Sequence, residues 1–503
     1  MKPLNPVLKL IAIQEKKRFD IRSVIAFAIF VGIFRGVEEG LFVSPNSFRV
    51  SFLSAYIPFY FLMYLLHVFV LQKFTKEQVG KVFNVALIGL FLGLFPPVID
   101  LLFFGLDSTR RYGYFLDLFL SAQTGVGRFP LKLLFFYAPE EKLPFGEALT
   151  LWMLLFFAPY YVYVKTKSFL RAAFSFPFVY AVIFVNAYIL PSAIRALFVV
   201  FTPEKNLPFL YAQMDFFISS FQTYLAMIVY FAFRPGLFSH LYKRSVLIFP
   251  FLVISLFGIK IAQTGYFVAD SIILIINLWL LFQSLLLQND FYDKLEDKGR
   301  KYQPSKDDMT FYVALSSLLI LISMAHGKVY AMPMLLILLI GFLYSHPFYR
   351  GKRYFPTNLK MEAVWGSMSF VSGTTIVAPT KVIPDVVVIF FLVFGGWSLF
   401  AIVKDMKDIL TDFYAGNRTV FVLAYQKKKS VKKVYRLLWT FLIIACLVPI
   451  VFFLWQHSYL AAILLLLITV ILLAISRKKM NTMRYTYFLM TISLYLAVVA
   501  WFY

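Results

Sequence analysis

Long apolar segments recur along the whole chain and are separated by short stretches that are rich in lysine and arginine. A helix needs about 20 apolar residues to cross the hydrocarbon core of a bilayer. Segments of about this length predict six spans in the first half of the chain: 23–43, 50–72, 82–105, 147–164, 171–201 and 209–233. Nine more follow: 246–264, 268–288, 309–326, 329–345, 360–379, 383–403, 435–455, 458–476 and 484–502. The pattern therefore predicts an all-α, polytopic membrane protein with about 15 transmembrane helices.

The composition agrees with this class and excludes several others. Of the 503 residues, 61% are hydrophobic and 15% are charged, and the mean hydropathy is +0.78, which is too apolar for an ordinary soluble domain. The net charge of +24 would suggest nucleic-acid binding in a soluble chain, but the basic residues here collect in short loops. We therefore expect no nucleic-acid partner. A lone cysteine and five scattered histidines exclude a disulfide framework and a zinc motif.

A charged stretch at Arg234–Arg244 predicts a boundary between two domains. Residues 1–240 form an N-terminal multi-span membrane domain of about six helices, whose role and protein partner the motifs do not indicate, and residues 241–503 form the second domain. Within the first, 106–146 is too charged to span a bilayer and predicts short interfacial pieces. Arg35 lies three or four residues before Glu38 and Glu39 and predicts an internal ion pair.

Two acidic stretches at the ends of apolar spans carry the candidate chemistry. Three aspartates follow the run Ser271–Leu287, and three more follow Val386–Val403, in both cases spaced i, i+3, i+7: Asp290, Asp293, Asp297; and Asp405, Asp408, Asp412. Like charges on one helical face repel, whereas a bound divalent cation reverses the effect, because hard ions prefer carboxylate oxygens. Basic residues lie among the aspartates: Lys294, Lys298, Arg300, Lys404, Lys407 and Arg418. The pattern predicts one site that holds metal ions against a polyanion such as diphosphate.

The loop charges predict which side of the membrane this site faces. The loops after the second, fourth, sixth and eighth spans of the second half hold 22 lysine and arginine residues, while the opposite loops hold only Lys328 and Lys381. Basic loops stay on the cytoplasmic side. Both aspartate motifs are therefore expected in the cytoplasm, in a multi-pass protein that we place in a prokaryotic inner membrane.

In order and spacing, these motifs resemble those of the UbiA superfamily of intramembrane prenyltransferases, over about 245–503. The first motif is Asn289-Asp290-x-x-Asp293-x-x-x-Asp297, and the second is Lys404-Asp405-x-x-Asp408-x-x-x-Asp412, followed by Gly416 and Thr419. Between them, Tyr344 precedes the basic residues Arg350, Lys352 and Arg353. The count of nine spans also fits. His346 and Gly351 depart from the pattern of the superfamily and bear on acceptor preference more than on metal binding.

The resemblance implies an enzyme, a prenyltransferase that uses Mg²⁺ to move an isoprenyl group from an isoprenyl diphosphate to an aromatic, quinone-precursor-like or other lipid-pathway acceptor. It implies metal ligands at Asn289, Asp290, Asp293, Asp297, Asp405, Asp408 and Asp412, with Asp290, Asp293, Asp405 and Asp408 catalytic. It also implies diphosphate-binding residues at Arg350, Lys352, Arg353 and Lys404, and a cavity residue that faces the acceptor at Tyr344.

Two other functions remain open at the level of sequence. A cation-coupled transporter could use the acidic helix ends, but such proteins place ionisable groups deep inside their spans. A non-catalytic membrane scaffold would not require six aspartates at repeated spacing.

Overall fold

The computed structural model describes residues 6–43, 50–104, 145–200, 202–262, 268–293, 302–376, 384–404, 409–414, 416–428, 430–476 and 482–502. Over these ranges the chain is helical and contains no strand, only an isolated bridge between Tyr354 and Arg418. This confirms the all-α class. The chain divides into two compact units, Met1–Pro235 and Gly236–Tyr503, which we call unit 1 and unit 2.

Unit 1 contains ten described α-helices. They are α1 (Pro6–Lys16), α2 (Ile21–Val43), α3 (Val50–Thr75), α4 (Val79–Leu92), α5 (Pro96–Phe104), α6 (Phe145–Thr166), α7 (Phe169–Phe184), α8 (Leu190–Val200), α9 (Leu207–Ala212) and α10 (Met214–Phe233). Helix α3 is central and packs against α2, α4, α7 and α10. The predicted ion pair of Arg35 is present, with Glu38 at 3.8 Å, and both side chains are buried. The predicted interfacial pieces of 106–146 lie almost entirely outside the described residues.

Prolines shape two of the predicted spans of unit 1. The span predicted at 82–105 is interrupted after Leu92, and a new helix begins at Pro96. Proline suits the first turn of a helix, where its missing N–H would have no intrahelical partner. In the span predicted at 171–201, a π-helix at Val185–Ile189 ends two residues before Pro191. The proline ring lacks an amide proton and crowds the preceding turn, which favours such a local change of hydrogen-bond register.

Unit 2 contains the remaining helices. They are α11 (Pro235–Arg244), α12 (Phe249–Ala262), α13 (Val268–Tyr292), α14 (Lys306–Ala325), α15 (Ala331–Ser345), α16 (Thr357–Thr375), α17 (Pro384–Lys404), α18 (Ile409–Tyr414), α19 (Val420–Lys428), α20 (Val431–Trp455), α21 (Tyr459–Ser476) and α22 (Thr482–Phe502). Nine of these, α12 to α17 and α20 to α22, follow the nine predicted spans within a few residues.

Glycines allow helices α12 and α16 to pack backbone against backbone. A Cβ atom at Gly258 would lie 2.2 Å from the carbonyl oxygen of Phe370, and one at Gly373 would lie 2.0 Å from that of Ser255. Both distances are far below van der Waals contact, so only glycine fits at either position. Such close crossings of small residues are a frequent means of helix association in membranes. The crossing fixes the position of α16, which carries part of the site described below.

The length and apolarity of the helices identify a multi-pass membrane protein. Among the described residues, nine helices are long and apolar enough to cross a bilayer, or up to ten if the bent pair Pro235–Leu247 and Phe249–Ala262 is one span. Shorter apolar helices accompany them at Ala331–Ser345, Val386–Ser398 and Trp439–Trp455. The larger count of about 15 stays a prediction.

Candidate active site

The first aspartate motif lies where the long apolar helix α13 ends. The helix is assigned up to Tyr292, and the amide of Asp293 still donates to the carbonyl of Asn289 at 2.9 Å, so the helical hydrogen bonding reaches the second aspartate. Asp290 and Asp293 are only 3% and 6% exposed. A carboxylate buried to this degree needs charged or hydrogen-bonding partners.

Each of these two carboxylates lies between two basic side chains. His240 Nε2 is 2.8 Å from Asp290 Oδ2, and Arg244, one turn further along α11, forms an ion pair with the same oxygen. Lys352 forms an ion pair with Asp293 Oδ1, and a guanidinium nitrogen of Arg350 lies 3.6 Å from that atom. The site therefore alternates negative and positive groups within one small volume.

The basic segment is a tight turn that joins the two aspartate motifs. Arg350 has a left-handed backbone with φ of 48°, an uncommon conformation for a residue with a Cβ, and a single 3₁₀ turn, Gly351–Arg353, follows it. The Arg418 amide donates to the Arg353 carbonyl at 2.7 Å, and the Phe355 amide donates to the Arg418 carbonyl at 2.9 Å. This pair of bonds connects the loop that contacts Asp293 to the chain just after the second motif.

The described part of the second motif is held in a compact turn. Asn417 Nδ2 donates to Asp412 Oδ1 at 2.8 Å, and the Asn417 amide donates to the Asp412 carbonyl at 2.9 Å. Gly416 provides the turn with a φ of 74°, which glycine adopts without steric cost. Three of the aspartates predicted as metal ligands, Asp297, Asp405 and Asp408, and the side chain of Lys404 lie outside what the structure describes.

A cavity of about 120 Å³ lies directly beside the first motif. Its polar end is formed by Arg244, Asn289 and Ser345, and the Ser345 hydroxyl lies 3.5 Å from Asn289 Oδ1. The remaining wall is largely apolar and aromatic. It includes Phe251, Phe282, Tyr344, Trp365, Trp397, Tyr485 and Phe488. The Phe251 and Phe282 rings stack with centroids 4.2 Å apart, so this part of the wall is flat and rigid.

Four side chains with polar groups, Tyr344, Glu362, Trp365 and Trp397, also line this cavity. The Tyr344 hydroxyl donates to Glu362 Oε1 at 2.8 Å, and both side chains are buried. The indole N–H groups of Trp365 and Trp397 are buried and have no hydrogen-bond partner among the described residues, although both tryptophans line the cavity. A buried donor without a partner is rare in proteins.

Within unit 2 the structure brings together Asn289, Asp290, Asp293, Arg350 and Lys352, and it places Tyr344 in the cavity wall. The Arg353 backbone and Asp412 belong to the same hydrogen-bonded region. Their roles as metal, diphosphate and acceptor residues stay predictions.

The sequence reading missed His240, Arg244 and Glu362. His240 and Arg244 are spaced i, i+4, which places both on one face of α11. The sequence of this segment indicates only a charged boundary between domains. Glu362 is the single acidic residue of Thr357–Thr375, and a lone carboxylate inside a predicted span is itself a signal of function.

No family model and no curated protein matches the chain. Three solved structures of a UbiA homolog from Archaeoglobus fulgidus are similar to part of the chain. The form bound to GPP and Mg²⁺ has 19% identity and a TM-score of 0.41, and it covers 51% of this chain and 96% of that one. The form bound to DMAPP and Mg²⁺ has 16% identity and a TM-score of 0.39, covering 52% and 96%. The Cd²⁺-bound form has 18% identity and a TM-score of 0.38, covering 51% and 96%.

Proposed function

We propose that unit 2 is a Mg²⁺-dependent intramembrane prenyltransferase, which moves an isoprenyl group from an isoprenyl diphosphate to an aromatic or other lipid-pathway acceptor. The observation that carries this proposal is that Asn289 and Arg244, the ion-pair partner of Asp290, line a largely aromatic cavity, while Asp293 and its basic partners follow one helical turn further along the chain. That arrangement suits a substrate with a strongly anionic head and an apolar tail. The tail belongs in the cavity and the diphosphate among the charged groups.

Among the described residues, no group of three or more His, Cys, Asp or Glu side chains is placed to hold a metal ion, so the proposed cation needs ligands from both aspartate motifs. Asn289, Asp290, Asp293 and Asp412 offer amide and carboxylate oxygens, which Mg²⁺ prefers over nitrogen or sulfur ligands. In this proposal the ligand set is completed by Asp297, Asp405 and Asp408. When bound, the metal supplies positive charge that stabilises the departing diphosphate.

The basic side chains are proposed to bind the phosphate oxygens. Arg244 and Arg350 present planar guanidinium groups, which match phosphate oxygens in pairs, and Lys352 presents a compact positive charge. All three already lie against the carboxylates, so the diphosphate would lie within reach of each of them. Arg353 and Lys404 complete the proposed set.

The aromatic wall is proposed to protect the reacting carbon. Breaking the allylic C–O bond leaves a carbocation, and aromatic ring faces attract a cation while they keep water away. Phe251, Phe282, Trp365 and Trp397 provide such faces around the cavity. Water would otherwise capture the cation and release a prenyl alcohol.

Glu362 is proposed to receive the proton that the acceptor loses when its new bond to the isoprenyl carbon forms. We expect Glu362→Gln to lower prenyl transfer by about 10²-fold or more, the usual effect of losing a general base. Binding of the isoprenyl diphosphate should stay within about twofold, because glutamine keeps the size of the side chain and an acceptor oxygen for the Tyr344 hydroxyl. Product mass and titration calorimetry with the diphosphate measure the two effects.

Tyr344→Phe is the matched control for Glu362→Gln. It removes the hydroxyl that donates to Glu362 but keeps the carboxylate, so transfer should fall less. Equal losses in both variants, together with weaker diphosphate binding, would indicate that this pair only supports the wall.

The proposed reaction itself is tested with purified full-length protein in detergent. Radiolabelled geranylgeranyl diphosphate, Mg²⁺ and a lipid extract from membranes are supplied, and diphosphate release is followed. We expect release that stops with EDTA and returns with added Mg²⁺. Release that persists in EDTA, or none with prenyl chains of any tested length, would contradict the proposal.

A further inference from the structure

Unit 1 contains a separate, partly open cavity of about 50 Å³ among helices α3, α4, α5 and α6. Most of its wall is aliphatic, glycine or phenylalanine. Its polar side chains are Tyr60, Tyr64, His67 and Thr150. One water molecule needs a cavity of about 10–15 Å³, so this cavity has room for more than one water molecule.

His67 presents an unused acceptor in this wall. Its side chain is buried, with the residue 5% exposed, and Nδ1 lies 2.7 Å from the Met63 carbonyl oxygen. Because a carbonyl can only accept, Nδ1 must carry the proton, which leaves a lone pair on Nε2. Nε2 is buried and has no partner among the described residues. A buried acceptor without a donor costs about 1–3 kcal/mol, so the fold retains it at a penalty.

Thr150 presents a second unused group. A threonine inside a helix usually donates to the carbonyl four residues earlier, as Thr166 does in the same helix α6, with Oγ1 2.8 Å from the Val162 oxygen. Thr150 is 7% exposed, and its Oγ1 has no partner within the described ranges. Thr150 therefore adds a second polar group without a described partner to the wall of this cavity.

The rest of the wall is held in place independently of any ligand. The Tyr64 hydroxyl donates to the Phe83 carbonyl at 2.8 Å, and Arg35 Nε donates to the Tyr60 hydroxyl at 3.2 Å. A Cβ atom at Gly93 would lie 2.8 Å from the Tyr60 ring, so the wall has no space for a larger residue there. A site that is already formed loses little entropy when a ligand binds.

We propose that this cavity binds the head of a membrane-soluble molecule that carries a hydroxyl group. The ligand hydroxyl donates to His67 Nε2, and the Thr150 hydroxyl donates to the ligand oxygen. The apolar lining contacts the first carbons of the ligand, whose remainder leaves through the open side. Such a ligand would give both His67 and Thr150 a hydrogen-bond partner and would also contact the apolar wall. A water molecule would provide the hydrogen bonds but not the apolar contacts. The proposal stands on unit 1 alone and does not depend on the function of unit 2.

The test compares two probes with the same ring and alkyl chain, 4-nonylphenol and its methyl ether, by native mass spectrometry of the full chain in detergent. We expect one saturable phenol and at least tenfold weaker binding of the ether, which cannot donate. A saturated alcohol of matching length is the third arm. If it binds as well as the phenol, the ligand class is any lipid alcohol, and if only the phenol binds, the ligand is aromatic.

The variants His67→Phe and Thr150→Val each remove one polar group at similar size. We expect phenol binding to weaken at least tenfold in the first and severalfold in the second. His67→Gln, which keeps an acceptor oxygen, should retain more binding than His67→Phe. It also replaces His67→Phe as the test variant if the phenylalanine variant does not fold. Thr166→Val, in the same helix, and His457→Phe, on an exposed turn, should bind as the unmodified chain does. Equal binding of phenol and ether, or unchanged binding in both His67 variants, would overturn the proposal.

Discussion

Replacing Asp290 with asparagine is expected to lower diphosphate release by about 10²–10³-fold, as is typical for the loss of one electrostatic group at a reacting centre. Asparagine keeps the size of the side chain and removes its charge. His240 and Arg244 then face each other without the carboxylate that lies between them in the structure. A metal ion would also lose an anionic ligand. Release of labelled diphosphate at saturating substrate measures the effect.

Asp293→Asn is expected to act similarly, because Lys352 and Arg350 lose their shared partner. On the motif assignment, Asp290→Ala and Asp408→Ala should each abolish turnover without unfolding the protein. The matched control is Asp307→Asn, a partly exposed carboxylate in the first turn of α14, which should keep full activity. Thermal unfolding in detergent shows whether each variant is folded. Full turnover in folded Asp290 and Asp408 variants would defeat the catalytic assignment.

Replacing Gly373 with valine is expected to destabilise unit 2 by about 3 kcal/mol or more, at the upper end of the cost of overpacking. The new Cβ would lie 2.0 Å from the Ser255 carbonyl oxygen. This oxygen belongs to the backbone, which cannot relieve the clash by changing rotamer as a side chain can. Helices α12 and α16 must therefore separate. The separation would displace Glu362 and Trp365, so prenyl transfer should be lost together with stability.

The matched control for this substitution is Gly395→Val in helix α17. A Cβ atom at Gly395 would have no heavy atom within 4 Å among the described residues. Both variants place the same side chain in an apolar helix, so their difference isolates the helix crossing. Melting temperatures followed by circular dichroism should fall clearly for Gly373→Val and little for Gly395→Val. Equal melting temperatures would mean that α12 and α16 are not in the close contact described.

The sequence predicted the spans of unit 2 well because membrane helices must satisfy their own backbone hydrogen bonds and remain apolar over a fixed length. The end of α13, for example, coincides with the first run of charged residues after Leu287. In unit 1, the break before Pro96 was not predicted, because the apolar run continues on both sides of it. Hydropathy alone does not register such an interruption of the helix.

The candidate site was predictable only where charge and spacing repeat. Asp290 and Asp293 are conspicuous because they interrupt an apolar chain at a regular interval. His240 and Arg244 were missed because their role depends on how α11 lies against α13, which is a tertiary contact. The unused Nε2 of His67 is likewise invisible in the sequence, since only coordinates reveal that the other ring nitrogen is bonded to Met63.

The join between Arg353, Phe355 and Arg418 consists of main-chain atoms only. Replacing the side chains at these positions leaves the peptide groups in place, so this connection tolerates extensive sequence drift. Proline is the exception at positions 355 and 418, because it would delete an amide that donates across the join. Related chains could therefore diverge freely here and still preserve the same alignment of their acidic loops.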